Sequence, residues 1–311
     1  MSSDIHDVVM IGAGPSALTA AIYTTREDIE TVLYEKAVIG GLAAITDVVD
    51  NYPGFPDGIE GMKLADQLHQ QAVRFGAKIA FGDVSGLHRD GDSIVSIVDG
   101  QEVRSRAVLI ATGSDYKKVS VPGEAEYYGR GVHYCATCDG AFYRDKKLVV
   151  IGGGNSAVQE TIFLTRYASH IDLLVRSSLK ASDVLQKALQ PFVDSGQVTI
   201  HLETVPTEIL ANDTGVNRVK IKSNGTESEI ETDGVFVFIG LKPNTDFLKD
   251  SGIELDEIGL IKTNQHLETS MSGVFASGDV RSGATMQIAS AVGEGAAAAL
   301  SIREYLDELK R

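Results

Sequence analysis

Asp7-Val8-Val9-Met10-Ile11-Gly12-Ala13-Gly14-Pro15-Ser16-Ala17 is the stretch that decides the fold. Its first five residues read as a strand buried in a parallel sheet, and the glycine turn G-x-G-x-x-A follows directly. A helical pattern then runs to about Arg26, and a second strand spans Thr31 to Glu35. The order returns at Lys147-Leu148-Val149-Val150-Ile151-Gly152-Gly153-Gly154-Asn155-Ser156-Ala157, with a helix to about Tyr167 and a second strand over residues 171–176. An internal repeat of this kind predicts an α/β protein with two Rossmann-like dinucleotide-binding units in one chain.

Each unit also carries a later apolar strand that ends in glycine, over residues 107–113 and 234–240. Residues 114–124, with Lys117, Lys118, Pro122 and Gly123, read as a linker, and a second linker falls at 241–246 around Pro243-Asn244. Beyond it, residues 273–279 form a strand and turn, and 286–309 an Ala-rich closing helix. Pattern alone does not assign this tail to either unit.

Composition narrows the class. A chain of 311 residues, 43% of them apolar, fills two cores, and 32 glycines against 7 prolines suit many tight strand-to-helix turns. A net charge of −15 argues against nucleic acid, whose phosphates need clustered Lys and Arg. The segment Met1-Ser2-Ser3-Asp4-Ile5-His6-Asp7 lacks the basic and apolar regions of a signal peptide, and no apolar run reaches membrane-spanning length. No membrane association and a cytoplasmic location are therefore expected.

In the first turn Gly12 makes the bend, Gly14 lets backbone approach a pyrophosphate, and Ala17 lets helix and strand pack; Pro15 and Ser16 lie between them. The pyrophosphate rests on the positive end of the helix. Glu35 stands at the end of the second strand, where a carboxylate binds the adenosine ribose. Gly152, Gly154, Asn155, Ser156 and Ala157 repeat the turn in the second unit. Late in the chain, Gly278-Asp279 offers another carboxylate. Asp279 either binds a ribityl hydroxyl, with the helix after Met286-Gln287 aimed at a flavin's pyrimidine end, or simply caps a turn.

The only two cysteines are Cys135 and Cys138, in Cys135-Ala136-Thr137-Cys138-Asp139-Gly140. A lone Cys-x-x-Cys means redox chemistry or half a zinc site, and no second pair or His spacing completes a tetrahedral set, so no metal is expected. The spacing permits a disulfide across one turn and a lowered thiol pKa. Asp139 is a candidate acid/base for the thiol proton, or a turn cap. His133 reads as a structural or exposed histidine.

Gly12-Ala13-Gly14-Pro15, Asn51-Tyr52-Pro53-Gly54, Ala111-Thr112-Gly113, the Cys135 to Gly140 run, Gly152 to Ala157 and Gly278-Asp279-Val280 stand in the order found in the low-molecular-weight thioredoxin reductases. The chain resembles that family along essentially its whole length. The resemblance implies two three-layer ββα domains. The FAD domain is discontinuous, from residues 1–116 and 246–311, and an NAD(P)-type domain over 117–245 carries the Cys pair. It places Gly41, Leu42, Asn51, Ala111, Thr112, Gly113, Gln287 and Ile288 at the FAD. It makes Cys138 the thiol facing the flavin, Cys135 the nucleophile toward thioredoxin or a thioredoxin-like protein, and Asp139 the acid/base. A homodimer with NADPH as donor is implied as well.

Three stretches depart from the family pattern. Gly40-Gly41-Leu42 replaces Gly-Gly-Gln, and Met286-Gln287-Ile288 replaces Arg-Gln-Ala. Val175-Arg176-Ser177-Ser178-Leu179-Lys180 replaces the His-Arg-Arg cluster that clamps the NADPH 2′-phosphate. Arg176 is the remaining guanidinium, Lys180 is only a point charge, and restoring the clamp calls for Val175→His with Ser177→Arg. NADH, ferredoxin or a deazaflavin stays open as the donor, and a redox-sensing flavoprotein is the reading from another class.

Overall fold

The computed structural model describes residues 5–46, 48–213 and 215–311; Met1 to Asp4, part of the stretch read for a leader, lie outside the described residues. The chain divides into two compact units, residues 1–115 with 242–311, and residues 116–241. These limits fall one and four residues before the boundaries expected from sequence.

In the first unit the parallel strands lie in the order Lys78–Phe81, Thr31–Glu35, His6–Ile11, Gln101–Ile110. Gln101–Ile110 is longer than the apolar run predicted. Its first half pairs antiparallel with Ser93–Val98, and its second half pairs parallel with Val274–Ala276. One strand thus serves both a parallel sheet and a three-stranded meander, completed by Val84–Asp90.

Alternation along the first strand builds three layers. Val8 and Met10 face a core with Ala17, Leu18 and Leu64 of the helices Pro15–Thr25 and Gly61–Arg74, while Val9 and Ile11 face a core with Leu87, Ile94 and Val98 of the meander. The tail belongs here. Val274–Ala276 adds a strand, and the helix Ile288–Leu309 lies against Pro15–Thr25 so closely that a Cβ on Gly295 would meet the carbonyl oxygen of Ser16.

The second unit repeats the plan. Its parallel order is Val132–His133, Gly234–Val237, Lys147–Ile151, His170–Leu174, Val198–His201, with a meander of Thr204–Asn212, Gly215–Ser223 and Thr226–Glu231. Leu148 and Val150 pack toward the helix side with Val158 and Leu189, and Val149 and Ile151 toward Val219 and Ile221 of the meander. The helix Asn155–Leu164 is shorter than predicted, and the strand expected over 171–176 ends at Leu174.

Candidate active site

The first glycine turn is shaped by one steric demand. Gly12 has φ +99°, and a Cβ there would lie 2.6 Å from the carbonyl oxygen of Ala111, so only glycine lets the two strand ends approach. Gly14 precedes the helix Pro15–Thr25 in extended conformation with no side-chain cap, and Pro15 supplies a fixed φ where its missing N–H is not needed. A Cβ on Gly14 would meet nothing within 4 Å, and one on Gly41 only the Gly14 Cα at 3.6 Å. Two bare backbones therefore lie side by side at a helix N-terminus with open space at the Gly14 Cβ position, which suits a close-lying pyrophosphate. Ser16 Oγ hydrogen-bonds Ser277 Oγ at 2.7 Å, bringing the tail to this turn.

Glu35 is buried. Its Oε2 accepts from the Ala13 N–H and its Oε1 from the Ala37 N–H, both at 2.8 Å. It braces the glycine turn, and each oxygen keeps a lone pair for a ribose hydroxyl. Beside it opens a cleft of about 380 Å³, lined among others by Gly12, Glu35, Lys36, Gly82, Asp83 and Thr112. Lys36, Gly82 and Asp83 carry no sequence signal, since a loop after another strand supplies two of them. Thr112 Oγ1 donates to the Asn244 carbonyl at 2.8 Å, and Asn244 returns bonds to the carbonyls of Thr112 and Gly113. Asn244, read from sequence as linker, is what holds Ala111-Thr112-Gly113 in place.

Gly278 donates its N–H to Glu294 at 2.8 Å, and Glu294 is paired with Arg281. Burial first, and then the charge of Glu294, push the Asp279 carboxyl up to about 6. A buried carboxylate without a cation is completed by hydroxyl donors such as those of a ribityl chain. The helix Ile288–Leu309 starts after Gln287 with no side-chain cap, and Asn51 Nδ2 donates to Gln287 Oε1 at 3.0 Å. Leu42 sits half-buried in the short helix Gly41–Ala44. The Gly14 and Gly41 pair, the cleft and the Asp279 corner fit a flavin adenine dinucleotide.

In the second unit, Cys135 and Cys138 form a disulfide with Cα atoms 5.3 Å apart. They follow Val132–His133, and Tyr134 anchors the approach: its ring stacks on Tyr116 and its hydroxyl donates to buried Glu124 at 2.7 Å. Cys135 precedes the short helix Ala136–Asp139, and the Cys138 N–H points at its Sγ from 3.2 Å. That N–H favours a thiolate at Cys135 once the pair is reduced. Asp139 ends the same helix, with Oδ2 3.3 Å from His133 Nδ1. His133 is buried, not exposed as one sequence reading allowed.

The sequence profile of the family described as pyridine nucleotide-disulphide oxidoreductase matches residues 6–295. The chain belongs to that family. It is 42% identical over 309 residues to a thioredoxin reductase of Bacillus subtilis (strain 168), covering 98% of this chain and 96% of that one. Its fold is similar to a thioredoxin reductase from Streptococcus pyogenes MGAS5005, with TM-score 0.93, 37% identity and coverage of 99% and 100%. It is also similar to a thioredoxin reductase from Giardia duodenalis, with TM-score 0.91, 29% identity and coverage of 98% and 100%. The chain is thus a flavoprotein disulfide oxidoreductase of the low-molecular-weight thioredoxin reductase type. No helix among the described residues is long and apolar enough to cross a membrane.

The second glycine turn repeats the geometry of the first. Gly152 repeats Gly12: its φ is +149°, and a Cβ would meet the carbonyl oxygen of Phe238. Gly154 precedes Asn155–Leu164 in extended conformation, again without a side-chain cap. Asn155 Oδ1 accepts from the Ser182 N–H at 2.8 Å, and Lys180 N–H donates to the Gly153 carbonyl at 2.7 Å, fastening the 176–182 loop over the turn. Arg176, Ser177, Ser178 and Lys180 are exposed there.

Val175 is only 1% exposed, packs in the helix-side core and touches the space beside Gly153. Restoring a phosphate clamp with Val175→His, as the family pattern suggested, therefore buries an imidazole in the core; Ser177→Arg is the substitution the site accepts. Arg176→Ala is expected to raise the apparent constant for NADPH about tenfold while leaving that for NADH within about twofold. Ser177→Arg is expected to lower it. Steady-state titration with both nucleotides checks this, and equal effects on the two would show that the 2′-phosphate is held elsewhere.

Proposed function

We propose that the chain reduces the disulfide of thioredoxin or a thioredoxin-like protein through Cys135 and Cys138, with FAD in the first unit and NADPH as donor. In this reading it acts as a homodimer. The observation that supports it is the Cys135–Cys138 disulfide lying in the same unit as a complete Gly152 to Ala157 turn, in a chain whose other unit has a second bare-glycine helix start at Gly14 beside Gly41. Gly12, Gly14, Glu35, Gly41 and Asp279 would hold the FAD, which when bound supplies the two-electron chemistry linking nicotinamide to disulfide.

The chain's own residues carry the exchange. In the reduced state the Cys135 thiolate attacks one sulfur of the substrate disulfide. The substrate S–S bond breaks, a mixed disulfide forms, and the leaving thiolate takes a proton from Asp139. Cys138 then gives its thiol proton to Asp139 as its sulfur attacks that of Cys135. The second substrate sulfur departs as a thiolate, the Cys135–Cys138 bond is restored, and Asp139 regains its proton. The enzyme dithiol is oxidised by two electrons and the substrate disulfide reduced by two.

Purified protein is expected to be yellow with FAD bound non-covalently. Under anaerobic conditions NADPH should bleach it, and oxidised thioredoxin should restore the colour catalytically. NADH and reduced ferredoxin are the comparison arms. Bleaching only by another donor overturns NADPH, and bleaching without reoxidation by thioredoxin favours the redox sensor.

A further inference from the structure

We propose that His133 is a positioning residue for thiol exchange, fixing the Asp139 carboxylate beside the Cys pair; this rests on the disulfide-reductase reading above. His133 ends the edge strand Val132–His133, paired with Phe236 of Gly234–Val237. Its ring is 6% exposed, lies 5.1 Å from the Phe236 ring centroid and meets the Tyr143 ring edge-on at 5.3 Å. An imidazole so enclosed needs a partner for each nitrogen. Nε2 has the Tyr143 hydroxyl at 2.7 Å, and Nδ1 has Asp139 Oδ2 at 3.3 Å.

The tautomer follows from Tyr143. Burial, and then the nearby charges of Asp139 and Asp233, push the Tyr143 hydroxyl's pKa up, so it keeps its proton, and with the acceptor-only Asp139 carboxylate beside Nδ1 it serves Nε2 as donor. A donor at Nε2 demands a lone pair there, which puts the proton of the neutral ring on Nδ1. Nδ1 stands 3.3 Å from Asp139 Oδ2, an ion-pair distance from which a small turn of the carboxylate makes a hydrogen bond. Asp139 is itself tied to the Cys turn, its N–H donating to the Cys135 carbonyl at 3.2 Å.

A carboxylate at the end of a four-residue helix has two side-chain torsions to settle before each proton transfer. His133, locked between Phe236 and Tyr143, engages Oδ2 and leaves Oδ1 to take and return the thiol proton. The ordering is built in, and an acid/base group held within reach is more effective than one that must find its place. The contact joins residues six and ten positions apart on a strand, a helix and a following turn, and no periodicity in the sequence signals it.

The test uses holoenzyme reduced with dithionite and mixed with oxidised thioredoxin, with acid quench and thiol alkylation to follow a single turnover. His133→Phe keeps the ring volume and removes both nitrogens; it is expected to slow exchange about tenfold. His133→Asn places an amide N–H near the position of Nδ1 and should recover most of that loss. In an Asp139→Asn background, His133→Phe should cost nothing further, because the effect runs through the carboxylate. An unchanged rate in His133→Phe, an equal loss in both backgrounds, or no recovery in His133→Asn overturns the proposal.

Should His133→Phe fail to fold, Tyr143→Phe removes the donor that sets the tautomer and is expected to slow exchange about fivefold; no change overturns the proposal equally. Wild-type enzyme that does not reduce thioredoxin instead removes the functional reading. The same variants run against a small aromatic disulfide then decide the role of His133 separately.

Discussion

Cys135→Ser and Cys138→Ser are each expected to lower thioredoxin turnover on the order of 10³-fold or more, and to fail in different ways. The two sulfurs form one disulfide, and the Cys135 Sγ lies in front of the Cys138 backbone N–H. A serine hydroxyl does not ionise near neutral pH and cannot form the mixed disulfide, so Cys135→Ser removes the attacking group itself. In reduced Cys138→Ser the attacking thiolate remains and the resolving thiol is gone. Incubation with oxidised thioredoxin should therefore trap a covalent complex through Cys135, visible as a mass increase that dithiothreitol reverses. Cys135→Ser should give little of it. Trapping by Cys135→Ser instead would exchange the two roles, and near-normal turnover in either variant would remove the Cys pair from the reaction.

The second large effect is expected at the first glycine turn, where two glycines two residues apart behave oppositely. Gly12→Ala forces a Cβ against the Ala111 carbonyl at 2.6 Å and holds alanine at φ +99°, a strain of about 1–3 kcal/mol before the clash is counted. The variant should melt lower without flavin and also lose FAD affinity by about a hundredfold or more. Gly14 has ordinary φ −75° and open space around its Cβ position. Gly14→Ala should therefore leave the melting temperature of the FAD-free protein nearly unchanged while its methyl group intrudes on that space and weakens FAD binding. Thermal melts of the FAD-free variants and a fluorescence titration with FAD separate the cases. A Gly14→Ala protein that binds FAD normally would show that the pyrophosphate does not pass between Gly14 and Gly41.

The parts of this fold that repeat locally are legible in the sequence. Thr31–Glu35 and Lys147–Ile151 are strands at the limits their apolar runs suggest, because a strand buried on both faces must be apolar throughout. The tail is not legible. Val274-Phe275-Ala276 is too short to declare its neighbour, and only its pairing with Gln101–Ile110 assigns it. The meanders are also muted, since Thr226–Glu231 is almost wholly exposed and polar.

The candidate site divides along the same line. Gly12, Gly14 and Glu35 lie near one another in sequence through a turn with a steric reason. The support given by Asn244 and Glu124, and the enclosure of His133, come from chain segments that meet only after packing. Val175 shows the converse. Family pattern assigns its position to phosphate binding, whereas the apolar side chain and its burial assign it to the core.

The way residues 242–311 return to the first unit sets an order on the protein's own biosynthesis. Every strand and helix of the second unit lies within residues 116–241, so that unit can close its core while the chain is still being made. The first unit cannot. Until Val274–Ala276 and Ile288–Leu309 exist, one flank of Gln101–Ile110 and the outer face of Pro15–Thr25 lack their partners, and this long-range closure is the slow kind. Gly278 and Asp279 come in the same late segment. The thiol-bearing half therefore matures first, and a finished site for the cofactor that serves it is among the last things the nascent chain acquires.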